Sequence, residues 1–384
     1  MDFSWTKEQS DYKQQIIEFA ENQLNDNLIE RDKEAVFSRK NWKKCADFGI
    51  QGLATPKDFG GTFDEVDILT ATLAMEGLGK GCRDNGLAFA LNAQMWTVQL
   101  PIFEFGNDAQ RKKYLSPMTS GEWIGCHGLT EPEAGSDVFS MKTTAEKVEG
   151  GYILNGSKRL ITFAPEADIA LVFANVNPKI GKWGVTGFIV EKGTKGFTQG
   201  SNQPKMGLRT VPIGDLHFDN CFVPDENRLG KEGAGWSITT HSLEYDRCSI
   251  LASQLGAMER QLENTIEFVK NRKQFNQPIS EFQSVSNRVA DMKLRLETSR
   301  LLLYKVAWLK SQGKSAMLEA ALLKLQLSES FVSSSLDDIR NHGGIGFLTE
   351  TEIERNLRDA IGGVLYAGTS DIQKKIIAQL IYSK

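Results

Sequence analysis

Helical periodicity occupies both ends of this 384-residue chain and stops in its middle, and that interruption restricts the available folds more than any other feature. From Thr6 to about Gly49, apolar residues such as Tyr12, Ile16, Ile17, Ala20 and Leu24 recur at helical intervals between charged ones. The stretch ATPKDFGGTF breaks the pattern; it resumes at Val66, Leu69, Leu73 and Leu78, and again around Asn92–Phe105. Residues 1–118 are expected to form a helical domain.

From Gly121 the texture changes. GYILNG, ADIALVFANV, GVTGFIVE and IGDLHFD are short β-branched or alternating runs separated by turn residues, with Asn155-Gly156 as one turn signal. Residues 119–232 are expected to form a small β-domain. Beyond Gly235, long periodic segments return at about 238–269, 282–311, 315–341 and 370–382, broken by KQFNQPIS and NHGGIGF, so residues 233–384 read as a helical bundle. The expected class is α+β.

Composition excludes several functions. With 45 basic against 49 acidic residues the formal charge is -4, which gives no electrostatic reason for a nucleic-acid partner. Five scattered cysteines without a CxxC pair, and four histidines without zinc spacing, predict neither a disulfide framework nor a metal site. The polar, amphipathic start and the lack of any membrane-length apolar run predict a cytoplasmic protein without a membrane span.

The densest cluster of unusual backbone signals is Thr130-Glu131-Pro132-Glu133-Ala134-Gly135-Ser136-Asp137-Val138. Such a loop offers hydroxyls and backbone donors to a dinucleotide; it equally suits a polar surface turn with Asp137 capping the next segment. A GxGxxG between strand and helix is absent, and Gly343-Gly344-Ile345-Gly346 reads as a terminating turn. Arg272, Lys273 and Phe275 lie in a break between helices, where they suit either a phosphate with a stacked base or an exposed basic helix end.

LTEPEAGSDV, Leu154-Asn155-Gly156-Ser157-Lys158 with Ile161-Thr162, RKQF, GGIGF, RDA and YAGTSDIQ together resemble the acyl-CoA dehydrogenase family over nearly the entire chain. The resemblance implies that family's three-part fold and FAD held between subunits of a homo-oligomer, a tetramer by preference. It implies Thr130 and Thr162 against the flavin ring and Ser136 at the pyrophosphate. Arg272 and Phe275 would reach a neighbouring subunit's FAD, with Arg340, Gly344, Gly368 and Thr369 also on the cofactor. Leu160 stands where many relatives carry tryptophan, and Arg340 where glutamine is usual.

Ala367 stands where most members carry the glutamate that removes the substrate's α-proton, and alanine accepts no proton. Relatives with the base elsewhere carry it on the helix after the β-domain, immediately before an arginine; here that stretch is Leu243-Glu244-Tyr245-Asp246-Arg247. Alignment favours Asp246. Helix geometry places Glu244 with Arg247 and about 200° from Asp246, and glutamate reaches further, so Glu244 is the first expectation for the base and Asp246 the second, with Arg247 on the substrate. Within the family the texture resembles prolyl-carrier-protein dehydrogenases, implying L-proline tethered as a thioester to a phosphopantetheinylated carrier protein. A short or branched acyl-CoA dehydrogenase and an inactive flavin- or carrier-binding scaffold are the competing expectations.

Overall fold

The computed structural model describes residues 4–382. Its first helix, Lys7–Gln23, starts at a reciprocal cap: the Thr6 hydroxyl accepts the Gln9 N–H at 3.1 Å while the Gln9 side chain accepts the Thr6 N–H at 3.2 Å. Ile16, Ile17 and Ala20 form its buried stripe. Next come Leu28–Glu34 and Arg39–Phe48, each closed by a left-handed residue, Ala35 and Gly49.

Helix Ile68–Gly81 is buried along nearly its whole length and packs against the longest helix, Gly235–Asn271. Two glycines set their separation: a Cβ on Gly79 would overlap the Ser253 carbonyl, and one on Gly256 the Glu76 carbonyl. The two backbones therefore touch, which fixes the longest helix against the N-terminal part of the chain.

Between the helical parts lies an eight-stranded sheet. Its order is Phe197–Gln199, Ile213–Pro224, Gly151–Thr162, Thr144–Val148, Ile169–Asn175, Val185–Glu191 and Arg228–Leu229, with Gly125–Gly128 running parallel to Ile169–Asn175. Every residue of Ile169–Asn175 is buried. Ala170, Val172 and Ala174 join the main core, while Ile169, Leu171 and Phe173 join a second cluster with Val98, Ile102 and Ile238. A strand covered on both faces loses its polar alternation, hence the continuous apolar run IALVFA.

Asn155-Gly156 is not a turn. It lies inside strand Gly151–Thr162, where the pairing with Ile213–Pro224 shifts between Leu154 and Gly156, and Gly156 has φ 141°. A Cβ there would press on Thr143, so the glycine serves a bulge and a close approach.

The C-terminal helices are Gly235–Asn271, Gln283–Ser311, Met317–His342, Ile353–Gly363 and Ser370–Tyr382, the first three packed mutually as a bundle. Helix Ile353–Gly363 falls in a stretch the periodicity reading passed over. It is 11 residues long and anchored by charge: the buried Asp359 accepts the Leu208 N–H at 2.6 Å and the Asn85 amide at 3.0 Å, tying together all three parts of the chain. The glycine turn after His342 ends its helix, with Gly343 at φ 64°.

Candidate active site

Helix Gly235–Asn271 carries Glu244, Asp246 and Arg247, all buried. Arg247 Nε donates to the carbonyl of Ala367 at 3.3 Å, and Gln373 Nε2 donates to the carbonyls of Ala367 and Gly368 at 3.1 and 3.0 Å. The turn containing Ala367 (φ 50°) and Gly368 (φ 89°) is thus fixed from two sides. Tyr366, just before it, accepts a 2.5 Å hydrogen bond from Gln254.

Asp246 shares a helix face with Ile250, Ser253 and Gln254, four to eight residues on, and those three line a cavity with Phe89 and Tyr366. Only 3% of Asp246 is exposed, and its Oδ1 has no hydrogen-bond partner. Burial pushes its carboxyl up to about 7 against the pull of Arg247 and Lys324. Lys324, from helix Met317–His342, is buried with an unpartnered Nζ, and burial beside Arg247 brings it down to about 8. A buried carboxylate poised near neutrality beside a cavity has the properties of a general base.

Glu244 is placed differently. Its carboxylate pairs with Lys310 Nζ at 3.1 Å and accepts the Ala316 N–H at 3.1 Å and the Ser315 hydroxyl at 3.5 Å. The side chain expected first as the base is committed to the connection that starts helix Met317–His342, because that end needs acceptors for its free amides. The reach of glutamate is used toward Ala316.

The Thr130–Val138 loop is held from beneath. Glu131 accepts the N–H groups of Lys142 and Thr143 at 2.5 and 3.0 Å and pairs with Lys158 at 2.7 Å; Lys158 also donates to the Leu129 carbonyl at 3.2 Å. Burial raises the Glu131 carboxyl, but the ammonium and the amide donors outweigh it and hold it below its ordinary value. The Arg159 N–H donates to the Thr130 carbonyl at 2.8 Å, bringing the loop beside the strand that ends at Thr162. Both threonines are half-buried, while Ser136 is exposed. Asp137 makes no side-chain bond to a backbone amide; it accepts the Ser140 hydroxyl. Leu160, at φ 59° in a second bulge of that strand, is turned out with 55% of its surface exposed.

The remaining expected cofactor residues sit elsewhere. Arg272 and Phe275 lie on a hairpin after the long helix, with Phe275 88% exposed. Phe268, four residues before Arg272, packs on His342 at 4.1 Å, so this hairpin shares one end of the bundle with Arg340 and Gly344. Arg340 is exposed and pairs with Asp337 at 3.2 Å. Gly368 and Thr369 adjoin Arg247, and the Thr369 hydroxyl accepts the Ile372 N–H at 3.3 Å. Arg247 and Arg272 are about 37 Å apart along one helix at 1.5 Å per residue, so the two groups of expected residues lie at separate places in a single chain.

Three family models match in sequence: the acyl-CoA dehydrogenase N-terminal domain at residues 6–122, the middle domain at 126–221 and the C-terminal domain at 233–382. The chain belongs to the acyl-CoA dehydrogenase family. It is 41% identical to the L-prolyl-[peptidyl-carrier protein] dehydrogenase of a Serratia species, over 99% of this chain and 98% of that protein. Among solved structures it is similar to the prolyl acyl carrier protein oxidase AnaB, at 46% identity and a TM-score of 0.97, covering 98% of this chain and 100% of that one. It is likewise similar to PigA with FAD and proline, at 40% identity and a TM-score of 0.97, covering 100% and 99%.

Among the described residues of this acyl-CoA dehydrogenase family member, no group of three His, Cys, Asp or Glu side chains is placed to hold a metal, and no helix is long and apolar enough to cross a membrane. Sequence reading assigned no role to Lys158, Lys310, Lys324, Gln254 or Gln373. For Lys324 a signal existed: a lone cation in the apolar run AALLKLQL, in register with the buried Ala320 and Leu327.

Proposed function

We propose that this protein uses FAD to oxidise an L-prolyl thioester, carried on the phosphopantetheine arm of a peptidyl carrier protein, to the pyrroline-carboxyl thioester. The observation that carries this reading is full-length identity of 40–46% to proteins named for prolyl carriers, in a chain whose position 367 has no carboxylate.

Asp246 is the base in this mechanism and Glu244 its structural neighbour. The thioester carbonyl acidifies the proline Cα–H, and the Asp246 carboxylate removes that proton inside a site from which water is largely excluded. FAD, when bound, supplies the two-electron acceptor for the hydride leaving the atom next to Cα. Arg247 holds the Ala367 turn and so sets the wall against which the substrate lies. Lys324 offers a second cation to the proton-accepting carboxylate.

The residues present fit FAD. Thr130, Ser136 and Thr162 border one loop and one strand end, with the exposed Leu160 as an apolar surface beside them. Phe275, 88% exposed with one edge-on ring contact to Phe282 at 5.9 Å, and Arg272 suit an adenine and a phosphate held by another subunit. A homotetramer, in which Arg272, Phe275, Arg340 and Gly344 complete a neighbour's site, accounts for the spread of half-sites along the helix, about 37 Å at 1.5 Å per residue.

The test is anaerobic mixing of the flavin-loaded protein with prolyl-carrier protein, free proline and butyryl-CoA, following flavin absorbance. Rapid bleaching by prolyl-carrier protein alone is expected. Faster bleaching by butyryl-CoA would make the protein a short-chain acyl-CoA dehydrogenase, and no bleaching by any thioester would make it a scaffold.

A further inference from the structure

We infer that a surface patch formed by the exposed Ile180 and Trp183 and the half-buried Lys182 and Trp236 is the docking surface for the carrier protein, with Lys182 receiving the phosphate at the root of the phosphopantetheine arm. This rests on the functional reading above and adds where the partner sits.

The segment Pro178–Gly184 joins strands Ile169–Asn175 and Val185–Glu191. Gly181, at φ 59°, lets it turn so that Ile180 and Trp183 stand in solvent with 51% and 55% of their surfaces exposed. Trp183 lies 6.4 Å from Trp236 between ring centroids, and Trp236 meets Phe139 at 4.9 Å. Adjacent exposed apolar side chains of this size are uncommon on a surface that meets only water, and tryptophan is enriched where partners bind.

The charge in this patch is unusual in its placement. Lys182 Nζ sits 3.9 Å from the Trp236 ring centroid and 5.0 Å from that of Trp183. Neither Lys182 nor its neighbour Lys179 makes a salt bridge among the described residues. Ring faces hold the ammonium in position without consuming its hydrogens, leaving donors for an anion. A phosphodiester complements that site, and the surrounding tryptophan and isoleucine complement the protein surface from which the phosphodiester projects.

The patch also has the right relation to the buried chemistry. Phe139 lies three residues after Ser136, so one edge of the patch adjoins the expected flavin loop. Trp236 and Arg247 are on the same helix, three turns apart, within about 20° of one face and about 16 Å along the axis. At the inner end Asp246 is 3% exposed, so a folded carrier cannot approach it and a flexible arm must cover the distance. The surface that stops the carrier should lie where such an arm enters, and this patch lies three turns out from the Ala367 contact.

The experiment uses flavin-loaded Lys182→Glu and Trp183→Ala proteins in rapid mixing with prolyl-carrier protein, prolyl-phosphopantetheine and prolyl-pantetheine. For each variant the apparent Kd for prolyl-carrier protein should rise at least tenfold, with the limiting rate of flavin reduction and the response to prolyl-pantetheine unchanged. An unchanged carrier Kd overturns the proposal, as does an equal loss with prolyl-pantetheine. So does loss of oligomeric state, which would make the patch a subunit contact. If Lys182→Glu weakens prolyl-phosphopantetheine as much as the carrier while Trp183→Ala weakens neither, the site reads a small phosphorylated thioester and carrier docking is overturned. If wild-type protein is not reduced by prolyl-carrier protein, the functional reading falls and this inference with it.

Discussion

The carboxylate of Glu244 accepts the backbone N–H of Ala316 at 3.1 Å, across 72 residues of sequence, and in doing so joins the long helix to the start of helix Met317–His342. With the Lys310 pair at 3.1 Å, this contact ties Glu244 to two further segments of the bundle. Glu244→Gln keeps an acceptor for Ala316 but removes the charge opposite Lys310. Stability should fall by about 1–3 kcal/mol, and the limiting rate of flavin reduction should stay within a few-fold of wild type. Thermal denaturation and anaerobic rapid mixing measure the two; a loss of bleaching with stability intact would return Glu244 to the role of base.

Asp246→Asn should cut flavin reduction by at least the ~10²-fold expected when a general base is removed, while FAD content stays near one per subunit. In wild type the rate should rise with pH through about 7, where burial places this carboxyl, and the residual rate of the asparagine variant should not track that curve. The stability effect has the opposite sense. A carboxyl raised from 3.8 to about 7 in the folded state stabilises the protein fully below its unfolded value and loses that contribution as pH climbs through 7. Asn at 246 should therefore flatten this part of the stability profile in chemical denaturation.

Lys158→Met leaves Glu131 buried without its cation. The cost should be about 3–5 kcal/mol, and FAD should be retained poorly because the Thr130–Val138 loop loses its support. Adding Glu131→Gln should recover part of the stability, since the unpaired charge is then removed. Denaturation midpoints for the two single variants and the double variant provide the check; a double variant no better than Lys158→Met would show that the ion pair does not govern the loop.

Phe275→Ala alters a side chain that is 88% exposed within its own chain. Stability of the isolated subunit should change by no more than about 0.5 kcal/mol, while FAD affinity drops and the oligomer dissociates more readily. Flavin release measured by fluorescence and mass measured by sedimentation would report both effects. Unchanged FAD affinity would remove Phe275 from the shared cofactor site.

The sequence alone determined the three-part texture, the Thr130–Val138 loop and the missing carboxylate at 367, since periodicity and short motifs are properties of neighbouring residues. It placed Glu244 ahead of Asp246 on reach and helix face, without sight of what either side chain meets. Both are acidic, two positions apart on one helix, and their local sequence says only that they point to different sides. What those sides meet comes from distant segments: Lys310 and Ala316 for Glu244, the Lys324 side and the Tyr366 cavity wall for Asp246. The same holds for Asn155-Gly156, whose turn preference is overridden by pairing with Ile213–Pro224 and by the nearby Thr143. Burial and partner choice depend on which remote surfaces are packed together, and this is why the tertiary structure decided the pairing, the unpaired carboxylate and the exposure of Trp183 beside Trp236.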